Sequence, residues 1–191
     1  MWPWTHVAVG YLLASGALRW RDGRGPSDAA AVGVVVATLA PDVVDKTLSW
    51  VVPVLPGGRS LAHSALVAVP LAALAVLLAR RRDDEPAGLA VAVGYLSHLP
   101  LDVLGSGLVD GTFATGFLLW PLTPTETAQP DAALPHLLGL VERAVGFAAT
   151  PRGAAYLLVE VALVALALAL WARDGRPGPG LLRSRRDPAE A

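Results

Sequence analysis

The residues able to do chemistry are few and widely spaced. Seven ionisable side chains stand inside otherwise apolar stretches: His6, Asp42, Asp45, His63, His98, Asp102 and Glu160. A charge inside hydrocarbon is costly, so each of them is a candidate for a functional role. Imidazole and carboxylate are the donors that bind zinc, manganese or iron when thiolate is absent, and the chain has no cysteine. That absence also removes disulfides, thiolate zinc sites and cysteine nucleophiles. His98 and Asp102 are i and i+4, which puts them on one helix face, about 5–6 Å apart at Cβ. Two ligands one turn apart can chelate one ion. Asp42 and Asp45, at i and i+3, share a face in the same way. Pro100 lies between His98 and Asp102 and predicts a kink that frees polar groups toward a cavity. Pro41 predicts a helix break or restart just before Asp42.

Each candidate has a plainer reading beside it. His6 or His63 alone is equally well explained as an interfacial residue near a helix end. Asp42 is a possible helix cap, and Asp45 an ion-pair partner for Lys46 or Arg59. His98 and Asp102 could be a hydrogen-bonded pair that holds helices together. Glu160 has no charged neighbour in its apolar stretch and reads as structural, facing the bundle. His136 and Glu142 read as surface residues. Ser64, beside His63, has no assignable base, and Gly105-Ser106-Gly107 is a turn signal.

The elements that must position these groups are helices in a membrane. Of 191 residues, 54% are hydrophobic and only 16% charged, against about 25% charged in soluble domains; the mean hydropathy is +0.52. The net charge of −1 suggests no nucleic-acid surface. The N-terminal residues lack a basic n-region, so no cleaved signal peptide is expected. Five segments approach the roughly 20 apolar residues that cross hydrocarbon: Trp4–Leu18, a stretch from Ala29 toward Val54, Leu61–Ala79, Ala87–Leu104 and Ala154–Ala172. Backbone groups in lipid must be satisfied internally, which predicts helices and not strands. The expected fold is therefore all-α, a polytopic transmembrane helix bundle of about five spans over residues 1–172, with a long outer loop over 105–153. A helix is expected inside that loop around Ala132–Ala149, and a disordered cytoplasmic tail over 173–191.

The loops set the direction. Arg19, Arg21 and Arg24 follow the first span, Arg80, Arg81 and Arg82 the third, and Arg173, Arg176, Arg183, Arg185 and Arg186 the fifth. That is 11 of the 15 basic residues on one side, and the positive-inside rule makes that side cytoplasmic. The N-terminus is then outside and the C-terminus inside a multi-pass cell-membrane protein. On this topology His6, Asp42, Asp45, His63, His98 and Asp102 all fall in the outer half. The arginines alone set the orientation, yet the candidate ligands converge on one leaflet. The six tryptophans fall near span ends, as an aromatic belt would.

Several motifs come in order: Thr5-His6-Val-Ala-Val-Gly10, Ala40-Pro41-Asp42-Val-Val-Asp45, Arg59-Ser-Leu-Ala-His63-Ser64, Gly94-Tyr-Leu-Ser-His98-Leu-Pro-Leu-Asp102 and Leu119-Trp120-Pro121-Leu122. The set resembles the membrane-bound, metal-dependent hydrolase family of the YdjM type over about the first 125 residues. More distantly it is similar to the bacterial zinc-dependent phospholipases C and related single-strand nucleases. The resemblance implies that His6, Asp42, His63, His98 and Asp102 are metal ligands, with Asp45 a ligand or a carboxylate behind them. It departs from the family pattern at Val44, where a second carboxylate is common, and at Gly58, where a histidine often precedes the arginine.

The expected cofactor is a divalent metal, zinc for preference and of open number. The leading expectation is a hydrolase in which metal-activated water attacks a phosphoester or ester, with Asp45 as general base and Arg59 on a phosphate. A site in the outer leaflet lies within reach of lipid head groups, so the bilayer is one partner and a lipid-linked phosphoester the expected substrate. Two other classes stay open: a metal-ion or proton transporter, which needs polar residues through the full depth, and a non-catalytic scaffold held together by metal. Oligomeric state is left open.

Overall fold

The computed structural model describes residues 2–125 and 133–180. Among these residues the chain is all-helical: α1 (Pro3–Asp22), α2 (Asp28–Lys46), α3 (Ala65–Arg80), α4 (Glu85–Asp110), α5 (Ala133–Ala148) and α6 (Pro151–Arg173). The five apolar segments each carry a helix (α1, α2, α3, α4 and α6), and α5 is the helix expected within the long loop. Local chemistry sets several starts. Ser27, Ser64, Asp84 and Thr150 accept a backbone N–H from the first turns of α2, α3, α4 and α6, satisfying donors that a helix start leaves free.

Three boundaries differ from the expectation. Pro41 does not break α2, which runs on to Lys46 and then loosens into a π-helical turn, Thr47–Val51. Pro41 forgoes one backbone bond and crowds the carbonyl one turn earlier, yet the helix continues through it with its ring fully buried. The helix α3 begins at Ala65, so His63 lies in the turn before it and not in its first turn. Finally, α4 continues six residues beyond Leu104. Gly105 and Gly107 read as turn residues but both lie within the helix, and Gly107 serves close approach: a Cβ there would clash with the Phe113 ring at its Cε1. The helix stops at Gly111, whose φ of +79° is the left-handed conformation that glycine adopts without strain.

The central element is α4, packed against α1, α2 and α3. On its far side α1 packs against α6, and α5 rests on α6. Close contact depends on small residues. A Cβ on Gly94 would come within 3.0 Å of the Val34 carbonyl oxygen, and one on Gly10 within 2.6 Å of Thr38 Oγ1. Large apolar side chains point outward, among them Leu66, Val69, Leu74 and Leu77 of α3 and Leu158, Val161 and Leu168 of α6. An apolar exterior around a partly polar interior is the arrangement that lipid favours. Among the described residues two helices, α4 and α6, are long and apolar enough to cross a membrane, by length and composition.

The starts of α1, α3 and α6, the end of α2 and the second half of α4 meet at one end of the bundle. Glu160 of α6, fully buried, accepts the Trp2 N–H there. At the other end the stretch expected to be a disordered tail begins ordered. Asp174 is bonded to Tyr11, Ser15 and Arg19, the Gly178 N–H donates to Asp28, and the Trp171 indole donates to the Pro177 carbonyl. Residues 181–191 of that tail lie outside the described residues.

Candidate metal centre

Four donors from three parts of the chain converge: Asp42 from α2, His63 from the turn before α3, and His98 and Asp102 from α4. One donor atom from each lies within 4.8 Å of the other three. The helical spacings predicted that each pair would share a face, and both pairs do so on the buried side. All three histidines of the bundle, His6, His63 and His98, are fully buried.

The orientation of the two imidazoles is fixed from behind. Asp45 is fully buried, and both of its oxygens are taken up by the turn that follows. Oδ2 accepts from Ser60 N at 2.7 Å, His63 N at 3.2 Å and His63 Nδ1 at 2.8 Å, and Oδ1 accepts from Ala62 N at 2.9 Å. Tyr95 of α4 donates to the Ala62 carbonyl at 2.8 Å and ties the same turn to the bundle. His98 Nδ1 lies 2.8 Å from the Thr38 carbonyl, which can only accept, so this nitrogen carries the hydrogen. The Asp45 carboxylate fixes the same tautomer in His63.

When neutral, each ring so held presents a lone pair at Nε2, and the two Nε2 atoms face each other at 3.1 Å. Facing lone pairs repel unless a proton or a cation lies between them. Carboxylate oxygens surround the same point. Asp42 Oδ1 is 3.5 Å from His63 Nε2 and 3.8 Å from His98 Nε2. Asp102 Oδ2 is 3.4 Å and 3.9 Å from the same two atoms. A tetrahedron with bonds of about 2.0–2.2 Å has edges of about 3.3–3.6 Å, so this group of two nitrogens and two oxygens can hold a metal ion. The donor types suit zinc, manganese or iron.

His6 sits beside the quartet. Its ring stacks on His98 at 4.1 Å, and Nε2 lies 3.2 Å from Asp102 Oδ1. Neither of its nitrogens makes a well-formed hydrogen bond, and neither does the buried Thr5 hydroxyl. Two cations cover the carboxylates where the site opens: Lys46 Nζ at 2.6 Å from Asp42 Oδ1 and Arg59 Nε at 3.0 Å from Asp102 Oδ2. Their side chains are 36% and 40% exposed, while that of His63 is fully covered. The Arg59 guanidinium also lies over the Phe117 ring.

The pairing differs from the plain expectation for Asp45, which meets neither Lys46 nor Arg59. Lys46 is one helical turn from Asp42, a spacing readable in the sequence. Sequence reasoning missed Thr38, whose backbone carbonyl orients His98 and which no side-chain pattern signals, and Tyr95, whose hydroxyl donates to the Ala62 carbonyl beside His63. His136 lies away from the quartet, against Trp50.

An all-helical bundle with apolar outer faces and a buried cluster of imidazoles and carboxylates belongs among helical membrane proteins with a candidate metal site. The family model of the YdjM inner membrane protein matches residues 1–175, and the chain belongs to that family. The match reaches through α6, well beyond the ordered motifs of the first 125 residues. No curated protein and no solved structure matches the chain.

Proposed function

We propose that this chain is a multi-pass membrane hydrolase that uses a divalent metal, zinc for preference, to cleave a phosphoester. In this reading α1, α2, α3, α4 and α6 cross the bilayer, the N-terminus is outside, and the site opens toward the outer leaflet. The observation that carries it is the pair of Nε2 lone pairs facing each other between two carboxylates. Such a pair needs a proton or a cation between its nitrogens, and two carboxylate oxygens at tetrahedral spacing around the same point favour a divalent cation. A bound divalent cation would supply Lewis acidity and a water acidic enough to ionise near neutral pH.

The surrounding residues divide the remaining work. Asp42, His63, His98 and Asp102 supply donors, and His6 adds a further nitrogen next to Asp102. Asp45 is spent on four N–H groups, which favours a positioning part over the general-base part expected from sequence; it holds His63 in the tautomer that leaves Nε2 free. Arg59 stands at the opening with a planar fork suited to two phosphate oxygens, and Lys46 adds a second cation. In the reaction the oxygen of water adds to phosphorus as the ester P–O bond breaks, and the departing alcohol takes up the proton that the water gives up. The resemblance to zinc-dependent phospholipases C points the same way.

A transporter would need polar groups through the full depth. Below Thr38 the interior is instead closed by Tyr11, Ala14, Leu18, Ala30, Val34 and Ala90, packed as one apolar cluster, which weighs against a conduit. The test is turnover. Detergent-purified protein loaded with Zn²⁺ should release phosphate from a short-chain, water-soluble phosphomonoester. A chelator should remove the activity, added Zn²⁺ should restore it, and His98→Ala should lower kcat at least about 100-fold. Equal rates in chelated and loaded protein would contradict the proposal.

A further inference from the structure

Two helices that flank the metal site leave a gap between them. Both α2 and α3 pack closely on α4 but scarcely touch each other. The gap is a cavity of about 390 Å³, walled by Ala37, Ala40 and Val44 of α2, Leu71 of α3, and Val91 and Tyr95 of α4. That volume lies within the range of small-molecule sites, about 300–1,000 Å³. The lining is apolar apart from Tyr95, whose hydroxyl is turned onto the Ala62 carbonyl. Gly33 and Ala72 also line it and add little bulk of their own. Three residues of the wall, Val36, Val44 and Leu71, are well exposed on the outer surface, so the cavity opens sideways, toward lipid in a membrane-embedded bundle.

Its position matters more than its size. One end is closed by Leu61 and Ala62, and Ala62 is joined directly to His63. The cavity therefore ends at the turn that carries His63, one residue from a donor of the quartet. Beyond that turn stand Arg59 and Lys46, two half-exposed cations. An apolar slot ending at a cation-rimmed polar site matches a molecule with a long hydrocarbon chain and an anionic head.

We infer that the slot between α2 and α3 holds one hydrocarbon chain of a lipid phosphoester whose phosphate lies at the quartet between Arg59 and Lys46. This rests on the hydrolase reading above and names its substrate class. The chain enters sideways from the bilayer, and burying its methylenes anchors the phosphate beside the donors. A water-soluble phosphoester would use the polar half of the site and leave the slot empty.

Two measurements on the full-length, zinc-loaded protein test the inference. In the first, a phosphatidic acid bearing a diazirine near the end of one acyl chain is the photolabel. The label should fall on α2 and α3 residues that line the slot. Excess dioleoyl phosphatidic acid should compete it away, whereas inorganic phosphate and dioleoyl phosphatidylcholine at equal concentration should not. Ala40→Trp, which fills the slot, should abolish the labelling while the metal content stays at the wild-type value. Val36→Trp, at the exposed rim, should weaken it and is the second variant in case Ala40→Trp does not fold. In the second measurement, Ala40→Trp should lower kcat/KM for phosphatidic acid about tenfold or more and leave that for a short-chain phosphomonoester unchanged.

Labelling spread over the outer faces of the bundle, or labelling that both tryptophan variants leave intact, would overturn the inference. Displacement by phosphatidylcholine as readily as by phosphatidic acid would mean ordinary bilayer lipid in the gap and would also overturn it. Slot labelling without turnover of either substrate would instead sink the hydrolase reading and leave the lipid site standing.

Discussion

Both ends of the bundle bury carboxylates, and they treat them differently. At the arginine-rich end Asp174 is a closed account: its buried side chain takes hydrogen bonds from Tyr11 and Ser15 and pairs with Arg19. That arrangement locks the end of α6 against α1 and leaves nothing over for a ligand. At the other end Asp42, Asp45 and Asp102 outnumber Lys46 and Arg59, and two imidazoles turn their Nε2 atoms toward one another at 3.1 Å. Only Asp45 is closed there in the manner of Asp174. Burial alone thus does not mark a functional carboxylate; what marks it is capacity left unspent after the neighbouring groups have been satisfied.

The comparison is tested most strongly at Asp45, which is structural in its bonding yet belongs to the site. Asp45→Asn should weaken Zn²⁺ affinity about 10–100-fold, because the amide cannot accept from all four N–H groups or fix the His63 tautomer. Titration with a competing zinc indicator would read this. An unchanged affinity would place Asp45 with Asp174 as a purely structural group. Asp174→Ala should do the reverse: it should lower stability in detergent by about 1–3 kcal/mol while leaving the metal content intact, as thermal unfolding beside elemental analysis would show.

The smallest expected effect is on pH dependence. Burial pushes the Asp174 carboxyl up, but hydrogen bonds from Ser15, Tyr11 and Arg19 outweigh it and hold the group below its usual range. The folded pKa is then below the unfolded value of about 3.9, so the stabilisation is full above about pH 4 and is lost as pH falls through the folded pKa. The gap in melting temperature between wild type and Asp174→Ala should be constant from pH 8 to 5 and narrow below about pH 4. A gap that stays open in stronger acid would show that Arg19 is not pairing with a charged partner.

Much of this arrangement is legible in the sequence. Helices follow from long apolar runs. The pairing of His98 with Asp102 and of Asp42 with Asp45 follows from helical spacing, and the meeting of these residues at one end follows from the arginines that alternate with them. What stayed hidden depends on contacts between distant parts of the chain. The part played by Asp45 is set by the backbone N–H groups of residues 60, 62 and 63, which no side-chain pattern displays. The pull of Thr38 on His98 acts through a carbonyl that every residue has. Gly107 looks like a turn residue until Phe113 is seen against it. Asp174 sits in a Gly- and Pro-rich stretch that reads as unstructured, and only the Tyr11 and Ser15 face of α1 gives it a place.

The central claim is that the quartet grips a cation. Elemental analysis of wild-type protein, extracted in mild detergent without chelator and run beside the His63→Ala/His98→Ala variant, tests it most directly. At least one divalent metal ion per wild-type chain, falling to background in a variant that remains helical, is the predicted result. A metal-free wild type that cannot be loaded with Zn²⁺, or a double variant that retains its metal, would contradict it.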